Sequence, residues 1–437
     1  MELEAFIFNV SILLMWEEKM TSKERVNKAL NHEEPDKVPI DFGGMSTMMI
    51  NCKVLAELRD YYGLEKRLPK INDMSTMTAY VEPDLLECLG GDIQQLYNYA
   101  DSYGHINTEW KEWEYRGTPI LIPANCTYTE DGEGGFYVYP EGDDSVEPSG
   151  HFPADGYYFD HLVRTPEFDE DNANPDDNVA DYMLVTDMQI AYHEQVLADV
   201  KKYNRAIQVG PCYAGLGDAN NVPGPNLKHP KGIRSHEEWY MAPLLYPEYV
   251  KEVYDKGTDI VIENFKKYWE VFGDQIDIMY ICGTDFGAQD NLMMSLETFD
   301  ELYVPYYKKM NDWVHENTTW KTLKHTDGAI FDLIPYLIKS GFDAINPVQF
   351  SARGMDPQKL KDTYGKDITF WGGGVDTQST LPFGTPEEVR VEVLKLLEIF
   401  SKDGGYIFGS VHNIQPNTPI KNIVAMVDAV KEFNGDN

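Results

Sequence analysis

The sequence predicts an α/β fold: a (β/α)8 barrel with an inserted antiparallel β-rich segment. Three observations lead there. Short apolar runs that end in polar or glycine-rich turns recur along the chain. Amphipathic helical patterns lie between most of them, so strand alternates with helix and a parallel sheet follows. Residues from roughly 100 to 185 break this rhythm with Tyr, Gly, Pro, Asp and Glu. A doubly wound open sheet is the competing arrangement. No G-x-G-x-x-G follows the first run and no G-x-x-x-x-G-K-[ST] occurs, which weakens its nucleotide-binding form.

The elements come in order. Thr21 or Ser22 caps a short amphipathic helix in "MTSKERVNKALNHEEPDKVPIDF". The strand runs are "KVPIDFGG", a weaker "DIQQLYNYAD", "AIQVGPCYAG", "IDIMYICGTDFG", "WKTLKHTDG", "DAINPVQF", "ITFWGGGVD" and "YIFGSVHN". Between 100 and 185, alternation with glycine turns suggests a small antiparallel meander. There "EFDEDNANPDDNVAD" reads as a solvated acidic loop, since the calcium-loop spacing is absent. In "AIFDLIPYLIKSGF", Ile330, Leu333, Ile334, Leu337 and Ile338 share a helical face. In "TPEEVRVEVLKLLEIFSKDGG", Thr385 caps, Pro386 sits at the first helical position and Gly404 follows the end. The last helix takes Thr418 as cap and Pro419 as first residue, with Ile420, Ile423, Val427 and Val430 as its buried stripe.

Composition narrows the class. The chain has 437 residues, 42% of them hydrophobic, ample for a large core. Its formal net charge of -36 argues against nucleic acid and anionic membrane surfaces as partners. The cysteines Cys52, Cys88, Cys126, Cys212 and Cys282 are odd in number, scattered and without C-x-x-C, so a reducing, cytoplasmic setting fits. The apolar stretch "AFIFNVSILLMW" is too short to span a bilayer, and its leader is acidic. Residues 1–19 read as an N-terminal extension, and residues 20–435 as the barrel.

In an α/β barrel the chemistry sits at the C-terminal ends of the strands. Those exits carry Asp41, Cys212, Cys282 with Asp285 and Gln289, His325 with Asp327, Gln349, Trp371 and His412. His325 and Asp327 lie two apart on a strand end, so both can reach one ion. The plain alternative is that Asp327 caps the next helix and His325 only hydrogen-bonds. Cys282 lies in an apolar run, where a free thiol is ordinarily inert packing. Asp285 and Asp41 stand beside glycines, where something can approach closely. His412 is not needed for the turn or helix cap that follow it, so it is free for chemistry.

The chain resembles the uroporphyrinogen decarboxylase superfamily, which includes cobalamin-dependent methyltransferases. The resemblance rests on "MTSKERVNKALNHEEPDKVPIDF", "DFGAQ", "HTDGAIFDLIPYLIKSGFDAINPVQ", "WGGGVDTQSTLPFGTPEEVRVEV" and "GGYIFGSVHNIQPNTPIKNIVAMV". It implies a (β/α)8 barrel with its site at the C-terminal mouth, and a dimer. True porphyrinogen decarboxylases carry an Arg-Gln-Ala-Gly-Arg loop and a Phe-Ser-Asp-Ile segment. Here "DFGGMSTM" and "QLYNYAD" stand in those places, without the arginines that hold propionates. His412 falls where that group has a histidine. The superfamily's zinc methyltransferases use His-x-Cys and a later Cys. His325 matches the histidine, Asp327 replaces the first cysteine, and His412 stands at or beside the second.

The resemblance thus implies a metal site of His325, Asp327 and His412, with zinc as the ion. His412, Asp285 and Asp327 become the expected catalytic residues. Asp41, Gln289, Gln349, Trp371 and Cys282 are the expected substrate-binding residues. The implied activity is transfer of a methyl group between a small methylated substrate and a corrinoid. An aryl methyl ether, as in O-demethylation, or a methylamine fits this harder site. No D-x-H-x-x-G occurs, so the corrinoid is expected on a separate partner protein. A lyase acting on a smaller carboxylic acid, with His412 and Asp285 moving the proton, is the main rival. A barrel that only binds a tetrapyrrole is the third reading. Tyr137, Tyr139, Tyr157 and Tyr158 read as stacked core tyrosines rather than a pocket wall.

Overall fold

The structure, a computed structural model, describes residues 20–210, 213–218 and 221–436. The expected extension over residues 1–19 and the strand-exit Cys212 lie outside the described residues. Seven strands form one parallel sheet: β1 Ile93–Gln95, β2 Ala206–Val209, β3 Ile278–Cys282, β4 Lys321–His325, β5 Ala344–Asn346, β6 Thr369–Trp371 and β7 Tyr406–Ile407. Their spatial order is their chain order. The helices used below are α1 Ser22–Leu30, α2 Asp187–Val200, α3 Val304–Asn317, α4 Ile334–Lys339, α5 Pro386–Phe400 and α6 Ile420–Phe433.

The sheet closes through a single residue pair. Ile40 bridges Phe408 in parallel. The Phe408 N–H donates to the Pro39 carbonyl and the Asp41 N–H to the Phe408 carbonyl, both at 2.8 Å. On its other side the Ile40 carbonyl accepts from the Asp92 N–H at 2.8 Å, just before β1. The run "KVPIDFGG" therefore fills the eighth position of the ring as a bridge, not as a full strand. Pro39 cannot donate to a ladder, which shortens it.

Each of the seven strands sends one side chain into the barrel: Ile93, Ala206, Ile278, Leu323, Ala344, Trp371 and Ile407. From below, Val26, Ala29 and Leu30 of α1 pack against this layer and stop the N-terminal end. Thr21 starts α1 with a reciprocal capping box: the Glu24 N–H donates to Thr21 Oγ1 at 3.2 Å, and the Thr21 N–H to the Glu24 carboxylate at 2.8 Å. From above, Met45 and Met48 of the loop after Ile40 press onto the same layer. The barrel is a packed cup with its floor near the strand exits.

A small antiparallel sheet of Ile50–Asn51, Thr78–Ala79 and Ile71–Asp73 precedes β1, and the other antiparallel strands lie between β1 and β2. Trp110–Tyr115 pairs with Thr118–Pro123 across the turn Arg116–Gly117. A four-stranded meander follows: Tyr128–Glu130, Phe136–Val138, Gly150–Phe152 and Asp160–His161. Phe136, Phe152 and Phe159 stack between them, giving this small sheet its own apolar seam.

Two helix starts depart from the sequence reading. α4 begins at Ile334, because residues 328–333 form turns after the strand exit. Asp327 is therefore no helix cap. α6 begins at Ile420, and Pro419 takes the cap position without a side-chain bond. The Thr418 N–H is occupied by the Gln415 carbonyl in the preceding turn. α5 matches its reading, with Thr385 and Glu388 in a capping box behind Pro386.

Candidate metal centre

The register of the sheet builds the site. His325 ends β4 and lies opposite Asn346, the last residue of β5. The Nδ1–H of His325 donates to Asn346 Oδ1 at 2.7 Å. The Asn346 amide is held in this sense because its Nδ2–H donates to the Trp371 carbonyl at 3.1 Å. That leaves Nε2 of His325 pointing at Asp327 Oδ2, 3.2 Å away. Across the cleft, Nδ1 of His412 donates to Asn413 Oδ1 at 2.5 Å. Its Nε2 lies 3.7 Å from the same Asp327 Oδ2. Among the described residues, His325, Asp327 and His412 form the one group of three whose ligand atoms lie within 4.8 Å of one another.

This donor set fits a divalent ion of zinc type. Both imidazoles spend Nδ1 on an amide oxygen, which fixes ring orientation and leaves Nε2 as the coordinating atom. Two nitrogens and one carboxylate oxygen leave a coordination position open, as in catalytic rather than structural sites. In the ion-free protein the same contacts are a charge cluster. Burial works against a charge on His325. The Asp327 hydrogen bond, the charges of Asp327 and Asp285 and the Asn346 contact outweigh it and lift its pKa to about 9. Burial pushes the Asp327 carboxyl up, but His325 and His412 outweigh it and hold it below its ordinary value.

The surrounding residues position this cluster. Asp285 Oδ1 accepts from the Asp327 N–H at 2.9 Å and lies 3.9 Å from His325 Nε2. Gln349 Oε1 accepts from the Gly328 N–H at 2.8 Å. Gln289 stands behind Gln349, taking a hydrogen bond from it at 3.1 Å and donating to the Ser351 carbonyl. Lys324, fully buried, donates to the carbonyls of Thr284 and His325 at 2.6 and 2.5 Å. It staples the exits of β3 and β4 together.

Above the cluster is a cleft of about 330 Å³, walled by Asp327, Gln349, His412, Asn413, Gln415 and the two tyrosines Tyr157 and Tyr158, among others. Among the described residues, neither lysine nor arginine lines it. Tyr157 and Tyr158 come from the inserted segment and are 40% and 41% exposed, so they face the cleft and are not stacked core rings. Tyr137 and Tyr139 stay outside its wall.

Three expected substrate-binding residues lie elsewhere. Cys282 is fully buried and turned toward α3, where its Sγ contacts the Tyr307 hydroxyl at 3.2 Å. Trp371 belongs to the interior layer of the barrel. Its Nε1–H donates to Asp41 Oδ2 at 2.9 Å. Asp41, fully buried, also accepts from the N–H groups of Gly43 and Gly44. Burial lifts its pKa to about 6 against those three hydrogen bonds. Asp41 thus braces the loop beneath the cleft. Asn346 and Asn413 are site residues that the sequence reading passed over, and Tyr158 is one that it placed among stacked core tyrosines.

Residues 230–433 match the family described as Uroporphyrinogen decarboxylase (URO-D). A uroporphyrinogen decarboxylase of Ruthia magnifica subsp. Calyptogena magnifica is 23% identical over 197 residues, 44% of this chain and 52% of the relative. One of Coxiella burnetii (strain Dugway 5J108-111) is 35% identical over 49 residues, 11% of this chain and 14% of that protein. The chain thus spans about half the length of the first of these curated relatives and a short stretch of the second. A solved methyltransferase from Methanosarcina mazei shares the fold, with a TM-score of 0.56 at 17% identity over 95% of this chain and 99% of that one. The chain therefore resembles the uroporphyrinogen decarboxylase superfamily, with its family match in residues 230–433 and a barrel of the kind seen in that methyltransferase.

Proposed function

We propose that this protein is a methyltransferase that moves a methyl group from a small methylated substrate to or from a separate corrinoid protein, assisted by zinc. An aryl methyl ether or a methylamine is the expected substrate. The observation that carries this reading is the convergence of two Nε2 atoms and one carboxylate oxygen, with both Nδ1 atoms already committed to amide oxygens. Zinc supplies a Lewis acid for a leaving oxygen or nitrogen, and the corrinoid cobalt supplies the nucleophile.

The chain's own residues do the rest. Asp285 and Gln349 hold the Asp327–Gly328 backbone, so the carboxylate stays between the imidazoles. Tyr157 and Tyr158 cover the cleft and reduce its contact with water. The absence of lysine and arginine from the wall suits a neutral substrate and disfavours a polycarboxylate. One further reading has an observation behind it. His325, with its pKa near 9, carries a proton in the ion-free protein. That favours a lyase acting on a smaller carboxylic acid, with the imidazoles and Asp285 moving protons.

The test is metal analysis combined with turnover. Purified protein is expected to carry zinc, and His325→Ala and His412→Ala to lose it. It is also expected to convert reduced cobalamin to methylcobalamin with 2-methoxyphenol or a methylamine as donor. Unchanged metal content in both variants refutes the metal part. Carbon dioxide release from a small acid without any corrinoid establishes the lyase instead.

A further inference from the structure

Asn413 Oδ1 is the most heavily used acceptor at the cleft. It receives the His412 Nδ1–H at 2.5 Å, the Tyr158 hydroxyl at 3.0 Å and the Gln415 amide at 2.8 Å. Gln415 also donates to the Tyr158 hydroxyl. An amide oxygen has two lone pairs, so three donors exceed its ordinary capacity. The excess has a directional effect. An asparagine amide can present either its oxygen or its NH2, and only the oxygen accepts from Nδ1–H of His412. With Tyr158 and Gln415 both aimed at that oxygen, the amide is held oxygen-first toward the imidazole. His412 is then held as the Nδ1–H tautomer, with the Nε2 lone pair facing Asp327.

On the other side of the cluster the barrel itself does this work. Asn346 is locked by the Trp371 carbonyl, a neighbour in the sheet. His412 has no equivalent from the sheet. Its lock comes from Gln415 in the same loop and from Tyr158, which is 255 residues from Asn413 in sequence and sits on the turn before the last strand of the inserted meander.

We propose that Tyr158 is a positioning residue for His412, and that the inserted segment thereby joins Gln415 of the barrel loop in orienting the metal-binding cluster. Tyr157, whose ring lies against the Arg116 guanidinium, has no part in this contact. The inserted segment is thus a working part of the site, and its Tyr157–Tyr158 turn couples cleft covering to ligand orientation.

The experiment uses the full chain with Tyr158→Phe, which keeps the ring and removes the hydroxyl, and Tyr157→Phe as its control. The first readout is Co2+ titration, following the visible absorption of the bound ion. Tyr158→Phe is expected to weaken Co2+ binding about tenfold and to alter the band shape, as loss of an outer partner does in metal sites. Tyr157→Phe is expected to match the wild type. The second readout needs no metal: 15N NMR of the imidazoles at alkaline pH, with His412 assigned through His412→Gln. The wild type is expected to show the Nδ1–H tautomer, and Tyr158→Phe a mixture of both. Thermal midpoints of both variants near the wild-type value separate orientation from unfolding. This inference rests on the metal-assisted reading only for its first readout. If the wild type binds no Co2+, that reading fails by itself and the tautomer decides. Wild-type tautomer populations in Tyr158→Phe, or an equal effect from Tyr157→Phe, overturn the proposal.

Discussion

The loops that carry Asp285 and Asp327 touch through two glycines, and a methyl group placed there should be felt at both the fold and the site. A Cβ on Gly328 would stand 2.3 Å from the carbonyl carbon and oxygen of Gly287, and 2.7 Å from the Ala288 carbonyl oxygen. All three are backbone atoms, which cannot swing aside as a side chain can. Gly328 also has φ at +91°. Gly354 supplies a matched control: φ is +80°, and a Cβ there would meet nothing within 4 Å. Both substitutions to alanine incur the left-handed backbone cost, about 1–2 kcal/mol. Only Gly328→Ala adds overpacking, about 1–3 kcal/mol. The totals are therefore about 1–2 kcal/mol for Gly354→Ala and about 2–5 kcal/mol for Gly328→Ala. Urea unfolding, followed by tryptophan fluorescence and far-UV circular dichroism together, reads the difference and tests whether the transition is single. The midpoint shift of Gly328→Ala should exceed that of Gly354→Ala by a factor of about 1.5 or more. Relief of the clash would also move the Asp327 N–H away from Asp285, so zinc affinity should fall in Gly328→Ala alone. Equal midpoint shifts in the two variants would refute the reasoning.

Two further outcomes follow from buried polar groups. His193 of α2 donates Nε2–H to the Tyr97 carbonyl and accepts at Nδ1 from the Tyr268 hydroxyl. Burial, partly offset by the Tyr97 contact, lowers its pKa to about 4 from 6.5. The unfolded chain thus takes up a proton below pH 6.5 that the folded chain refuses down to about pH 4, so stability falls with acidity across that window. The full difference is about 3 kcal/mol, and His193→Gln should flatten the pH dependence of the urea midpoint relative to wild type. Trp371→Phe leaves Asp41 Oδ2 without its indole donor, costing about 1–3 kcal/mol. A double-mutant cycle with Asp41→Ala should show coupling of at least about 1 kcal/mol, and additivity within about 0.5 kcal/mol would contradict that contact.

Much of the barrel was legible because its signals are local. Six of the seven sheet strands coincide with clear apolar runs, and the Thr21 and Thr385 caps sit where their capping boxes predict. His325 and Asp327 were legible as a pair because spacing two on a strand end puts both on one side. The misreadings share a cause. Exit position tells where a residue is, not which way its side chain turns. Trp371 and Cys282 stand at strand exits, yet one turns into the barrel and the other toward α3. Asn346 and Asn413 are adjacent to Pro347 and His412, but asparagine in such places ordinarily only marks a turn. Tyr158 was read as a core ring, and its contact with Asn413 was out of reach, since nothing local in the inserted segment says which strand exit it will meet.

Among the described residues, the helix Ser22–Leu30 closes the bottom of the barrel, and the cleft at the strand exits is the doorway to the site. Anything that reaches His325 and His412 must come in, and its product must go out, across the same threshold beside Tyr157 and Tyr158. Two reactants that need this cluster therefore queue rather than pass through. A bulky second reactant cannot arrive from behind while the first is still seated. Traffic of that kind is sequential in time, and each visitor obstructs the other.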